Sequence, residues 1–285
     1  MKMTMLFNRL QNGIIIASCT LAALFTVISP PSNAAEPVLE IHIDQQIKYL
    51  SRAALLQLPE VRTVDIADDV SYHTKKQYRA VPFSMLLNAR QLAQTETVQF
   101  TAADGFVANI PSTLLSSGAQ PWLAIEPADK PWPPLKPGKP SAGPFYLIWL
   151  APGKAAVSPE QWPYQIAKIS ETIALEKRFP QIVPKASADT LTSDAALRGM
   201  HVYIANCATC HKINGAGDAA IGPDLNTPFS PTEYFQDAFL RKLIRDPSSV
   251  RNWPQRSMSG FTVANLSDAK LNDLLTYLRQ MAKQR

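Results

Sequence analysis

The sequence predicts a multidomain protein, with a mixed α/β (α+β) N-terminal domain followed by an all-α C-terminal domain. Three observations carry this. Residues 36–180 alternate short strand-like apolar runs with short helical ones. Residues 194–285 carry helical periodicity. Between them the stretch 181–193, QIVPKASADTLTS, is polar, holds Pro184, and reads as a linker. A chain of 285 residues has room for about two domains. With 46% hydrophobic and 18% charged residues it fits neither a disordered nor a collagen-like composition.

Before these domains stands a targeting segment. Lys2 and Arg9 form a positive start, Gly13 to Ser29 is an unbroken apolar or small-residue run, and Ser32-Asn33-Ala34 supplies the small residues of a signal-peptidase site. Residues 1–34 are therefore expected to be a signal peptide cleaved after Ala34. That implies an exported, periplasmic protein of a bacterium. Two other readings stay open: an uncleaved membrane anchor, although the run is short for a span, and lipidation at Cys19, where Ile16-Ala17-Ser18-Cys19 has the look of a lipobox. Either would tie the chain to a membrane.

In the middle domain, Leu39 to Ile43 alternates as a strand, placing His42 on the face away from the apolar one. Ser51 can cap a short helix ending at Pro59. Val98 to Thr101 and Phe106 to Ala108, joined through Asp104-Gly105, read as a β-hairpin, since Asp-Gly supplies the positive φ of such a turn. Pro111-Ser112-Thr113 can open a helix. Trp122 to Ile125 and Phe145 to Leu150 are apolar strands, and the seven prolines of residues 127–144 exclude a regular element between them. His73 lies in a polar run and reads as a loop histidine.

The net charge is +5. Residues 36–189 balance 15 basic against 15 acidic side chains, and residues 190–285 hold 11 basic and 8 acidic. No Lys/Arg stripe interleaved with aromatics occurs, so nothing points to nucleic-acid binding.

The C-terminal domain carries the chemistry. Cys207-Ala208-Thr209-Cys210-His211 is a CxxCH run. Two thiols one helical turn apart can reach the two vinyl groups on one porphyrin edge and form thioethers, and the adjacent histidine can then give its imidazole to the iron. A structural zinc site would need a second ligand pair, yet Cys19 is the sole other cysteine and the remaining histidines show no paired spacing. A thioredoxin-like pair would follow a strand; here Asp194 to Asn206 reads as a helix. One covalently bound haem c is the expected cofactor.

Gly199, Tyr203, Cys207, Cys210 and His211 together resemble the first helix of class I cytochromes c. The resemblance covers about residues 194–285. It implies that the last helix packs on Gly199. Ser267 can cap that helix, and Leu271, Leu274, Leu275, Leu278 and Met281 form its apolar stripe. Gly222-Pro223-Asp224-Leu225 is similar to the segment that packs the histidine side of the haem. A middle helix is expected from the capping box Ser230-Pro231-Thr232-Glu233 to just before Pro247.

Candidates for the sixth iron ligand are Met200, Met258, Met281 and His201. Met200 and His201 lie on the helix leading into the haem motif, and Met281 fits the core stripe. Met258 lies 47 residues after His211 in Arg256-Ser257-Met258-Ser259-Gly260-Phe261. This resembles the family's methionine ligand loop, with Ser259 where proline is usual. Met258 is the expected ligand, with Leu225 and Phe261 shielding the iron. Thioether ligation favours Fe(II).

Residues 37–175 resemble a reduced form of the molybdopterin-binding fold of the sulfite oxidase family. The matching stretches are Tyr78-Arg79-Ala80-Val81-Pro82-Phe83, Ala103-Asp104-Gly105-Phe106, Leu123-Ala124 and Gly143-Pro144-Phe145. That family holds molybdenum through a cysteine. This domain has none, and Tyr146 follows Phe145 where an arginine is expected. The domain therefore reads as a cofactor-free relative that docks a redox partner or orients the haem domain, with plain stabilisation of the chain as the bland alternative.

The expected function is monohaem electron transfer between a redox-enzyme donor and a downstream cytochrome or oxidase, without substrate chemistry of its own. Two alternatives are a sulfite-dehydrogenase-like molybdopterin oxidoreductase with a fused haem domain, and a haem-based sensor.

Overall fold

The computed structural model describes residues 35–186, 189–252 and 257–285. The expected signal segment, with Cys19 and Ala34, lies outside the described residues, as do Ser187 and Ala188 of the linker and Arg256 beside Met258. Among the described residues no helix is long and apolar enough to cross a membrane.

The middle domain opens on a hairpin, β1 (Val38–Ile43) and β2 (Gln46–Ser51). Its turn residues Asp44 and Gln45 both take positive φ, of 53° and 59°. The geometry is that of a two-residue hairpin without the glycine that usually announces one, and β2 was not foreseen. Ser51 caps α1 (Arg52–Leu56) by accepting from the Ala54 amide at 3.1 Å, as expected. Then follow β3 (Arg62–Ile66), β4 (Lys76–Pro82), α2 (Ala89–Gln94), β5 (Thr97–Ala102), β6 (Val107–Pro111), α3 (Ser112–Leu115), β7 (Pro121–Ile125), β8 (Phe145–Trp149) and β9 (Ile166–Thr172). The β5–β6 hairpin turns at Gly105, φ +92°, in register Thr101 to Val107.

Two sheets result, in the orders β2-β1-β9-β5-β6 and β3-β4-β7-β8. Among the described residues β1 and β9 pair in parallel and the other strand pairs are antiparallel. Alternation along β1 sends one side-chain set inward, whereas all five residues of β8 are buried. Ile41, Phe100 and Ile169 of the first sheet and Tyr78, Leu123 and Leu147 of the second share one buried core.

After β9 the chain makes α4 (Leu175–Arg178) and then α5 (Thr190–Asn206). Asp189 caps α5, accepting from the Leu191 and Thr192 amides, so the helix starts four residues before the expected Asp194. Within the expected linker 181–193 Ile182 is anchored, as is Leu175 just before it in the expected middle domain. Leu175 and Ile182 are buried in the C-terminal core, and Tyr277 donates its hydroxyl to the Ile182 carbonyl at 2.8 Å.

Instead of one middle helix, two short ones form, α6 (Pro231–Tyr234) and α7 (Asp237–Arg245). The capping box is present, but Phe235 and Gln236 take extended backbone. Phe235 can then pack on the C-terminal core. Asp237 starts a fresh first turn and pairs with Arg241 at 2.6 Å. The last helix, α8 (Asp268–Ala282), is capped by Ser267 and buries all five residues of its foreseen stripe.

Candidate haem site

Helices α5 and α8 frame the site. A Cβ on Gly199 would collide with the Asp273 carbonyl and stand 2.6 Å from the Tyr277 Cβ, so only glycine lets α8 approach this closely. One turn further on, Tyr203 packs on Tyr277 with ring centroids 5.5 Å apart. Each buried phenol has its own polar partner, since Tyr203 donates to the His211 carbonyl at 2.8 Å.

The CxxCH run forms the turn that ends α5. The Cys207 amide still bonds the Tyr203 carbonyl, at 2.8 Å, and the amides of Cys210 and His211 then fold back onto the Cys207 carbonyl at 3.1 and 2.8 Å. Neither cysteine is in a disulfide. Burial first, and then the charge of Glu160, push Cys207 up to about 12 and Cys210 up to about 11.

His211 is pinned by backbone. Its Nδ1 lies 2.7 Å from the Pro223 carbonyl oxygen. A carbonyl can only accept, so Nδ1 carries the proton and Nε2 keeps its lone pair for a metal. Burial holds His211 below the usual histidine range, opposed by the Pro223 bond and by Asp224, and so favours the neutral imidazole. Any side chain at Gly222 would strike the imidazole ring, with Nε2 2.8 Å from its Cβ. The loop carrying Pro223 is itself fixed. The Asp224 carboxylate accepts from the amides of Asn214, Gly215, Asn226 and Thr227 at 2.7–3.2 Å. Fully buried Asn226 bonds Asn214 and the Met281 carbonyl.

Met258 is half-buried on an irregular segment. The far flank of that segment is anchored by a residue the sequence did not flag. Arg245 donates to the carbonyls of Phe261 and Leu266 and pairs with Asp268 at 2.6 Å. Phe261 is buried and Leu225 packs on the C-terminal core. Met200 and Met281 are core residues, 4% and 0% exposed, and His201 is exposed.

The middle domain reaches the same region. The Val107 amide at the start of β6 donates to the Thr209 carbonyl inside the motif, at 3.2 Å. Ser158 donates to Asn206 at 2.6 Å, one residue before Cys207. Asp218, in the loop after His211, accepts from both terminal guanidinium nitrogens of Arg178 at 2.7 Å, together with Gln99 at 2.9 Å and Asn109 at 3.1 Å. None of these three, nor Glu160, carried a signal in the sequence.

The residues fit a covalently held haem: two cysteines one turn apart, an imidazole with its tautomer set, and a backbone that leaves room for that ring. Among the described residues no group of three or more His, Cys, Asp or Glu side chains is placed to hold a metal by itself. In the middle domain, Tyr146 directly follows the Gly143-Pro144-Phe145 stretch. It is fully buried, 3.1 Å from the Ser71 hydroxyl and 3.4 Å from an Asp69 carboxylate oxygen. The Asp104-Gly105-Phe106 stretch is the β5–β6 turn, and Leu123-Ala124 lies in β7.

No curated protein matches the chain. No family match supports the expected likeness of the middle domain to the sulfite oxidase fold. Residues 196–282 match the family model Cytochrome c, from inside α5 to the end of α8. The chain therefore carries a C-terminal cytochrome c domain behind a mixed α/β domain, and with it the haem and the electron-transfer role that such a domain implies.

Proposed function

We propose that this chain is an exported, periplasmic monohaem electron carrier. Cys207 and Cys210 would hold the haem, with His211 and Met258 as axial ligands. The observation that supports it best is the His211 imidazole, its tautomer set by Pro223, one residue from the cysteine pair. Bound there, the haem would supply a one-electron Fe(III)/Fe(II) couple. With both axial positions filled, iron would have no open position for a substrate, which favours outer-sphere transfer between redox proteins. The donor would be a dehydrogenase or a quinol-side complex, and the acceptor another cytochrome or an oxidase.

The protein's own residues do the rest. Pro223 and Gly222 orient His211, Arg245 and Asp268 brace the Met258 segment, and the apolar packing of Phe261 and Leu225 limits water. The middle domain, with no cysteine to bind molybdenum, would orient the haem domain or dock a partner.

The test is spectroscopic. The denatured polypeptide should retain one haem by mass, and Met258→Ala should lose the far-red methionine–Fe(III) charge-transfer band. Absence of haem mass sinks the reading; an unchanged band in Met258→Ala sinks that ligand. One molybdenum per chain would instead establish the oxidoreductase alternative, and rapid CO binding to the reduced protein would establish the sensor.

A further inference from the structure

A groove in the middle domain shares no residue with the haem site. One wall is the β3–β4 pair, whose register sets Thr63 opposite Arg79 and Ile66 opposite Lys76. The other is the proline-rich loop after β7, from Pro127 to Pro133. Between them lies a cavity of about 360 Å³, within the size range of small-molecule clefts.

The loop wall is built, not slack. Tyr72 donates its hydroxyl to the Pro133 carbonyl and accepts from the Ala142 amide, both at 3.0 Å. The Glu126 carboxylate takes the Trp132 amide at 2.7 Å and the Ser141 hydroxyl at 2.8 Å. Tyr78, which also lines the groove, is buried. Its hydroxyl is held by Asp69 at 2.8 Å, and its ring meets the Trp132 ring edge-on, centroids 4.8 Å apart. The prolines of the loop fix its backbone further, so a ligand would order little on arrival.

The lining is one-sided in charge. Lys76, Arg79 and Lys130 face the groove, and no carboxylate does. The Lys76 ammonium sits 4.3 Å over the centroid of the Tyr72 ring. The neighbouring acids are engaged elsewhere: Asp65 with Lys75 at 3.7 Å and with Gln77 at 3.4 Å, and Glu126 and Asp69 as described. Between the cations the surface is apolar, made by the Tyr72 and Trp132 rings and by proline.

We propose that this groove binds a small aromatic carboxylate. The ring lies against Trp132 and the prolines, and the carboxylate meets Lys76, Lys130 and Arg79. A bare anion leaves the apolar wall without a partner, and a neutral ring leaves the cations without a counter-charge. A flat ring that carries an anionic group satisfies both. The site stands apart from the haem reading, since none of its residues touches the CxxCH turn.

The test is isothermal titration of the full-length protein with benzoate, beside benzamide, acetate and inorganic phosphate. Benzoate should saturate one site per chain and bind more weakly as salt rises. Benzamide keeps the ring without the charge, and acetate and phosphate keep charge without the ring; none of the three should saturate over the same range. Lys76→Gln and Lys130→Gln should each weaken benzoate about tenfold, the loss of one charge-assisted contact. Both lysines lie toward the surface, so these variants keep the fold, which circular dichroism checks. Trp132→Leu should abolish binding. Failure of benzoate to saturate overturns the proposal. So does equal binding of benzamide, of acetate or of phosphate, and so does unchanged benzoate affinity when both lysines are replaced together.

Discussion

The two domains hold themselves together in different ways. In the middle domain, two sheets bury a continuous apolar core. Its buried acid, Asp69, is satisfied by the Tyr78 hydroxyl at 2.8 Å and by the amides of Ser71 and Tyr72. The C-terminal domain has a thinner core along α5 and α8. Around it run long irregular segments, held by polar hooks such as Asp224 and Arg245. Layered strands can stand on burial alone. A domain of few helices and long loops needs more, and here the haem would supply it. The contrast shows where each domain is vulnerable: the first to loss of apolar volume, the second to loss of its prosthetic group.

Removing the haem breaks the comparison most sharply. In Cys207→Ala with Cys210→Ala, amide exchange protection across α5 and α8 should collapse toward that of unfolded chain, while β1, β5, β8 and β9 stay protected. Equal protection in both domains would show that the C-terminal core is self-sufficient. Next comes Asp218→Ala. It removes the charged partner of Arg178 and leaves the Asn109 bond, and should cost about 2–3 kcal/mol for a partly exposed pair. Denaturant melts should also split from one transition into two; a single unshifted transition would mean the contact holds nothing. Gly199→Ala tests the helix crossing and should cost about 1–2 kcal/mol, overpacking outweighing the gain in helix propensity. Ser267→Ala removes the cap of α8 and should cost about 1 kcal/mol, read as a fall in thermal midpoint of the C-terminal transition alone.

What could be read from the sequence was what is written locally. Cys207, Cys210 and His211 stand within five consecutive residues. Gly199, Tyr203 and the α8 stripe follow a helical period, and Ser51 and Ser267 sit directly before their helices. What escaped reading depends on residues distant in sequence. Glu160 meets Ser259 from 99 residues away and Arg178 meets Asp218 from 40 away, and no period or spacing links such partners. The β1–β2 hairpin escaped because Asp44 and Gln45 take left-handed backbone without a glycine to mark it. The middle helix divided because Phe235 and Gln236 turn extended, although Ser230 and Glu233 announce its start correctly.

The Arg178–Asp218 clamp has a mechanical consequence. A redox module on a slack leash can sweep through an arc and carry charge from one docking point to another by its own swing. With Asp218 gripped by three side chains of the neighbouring domain, and Ile182 sunk into the C-terminal core, that freedom is gone. A donor and an acceptor would each have to dock at a centre held fixed against the middle domain.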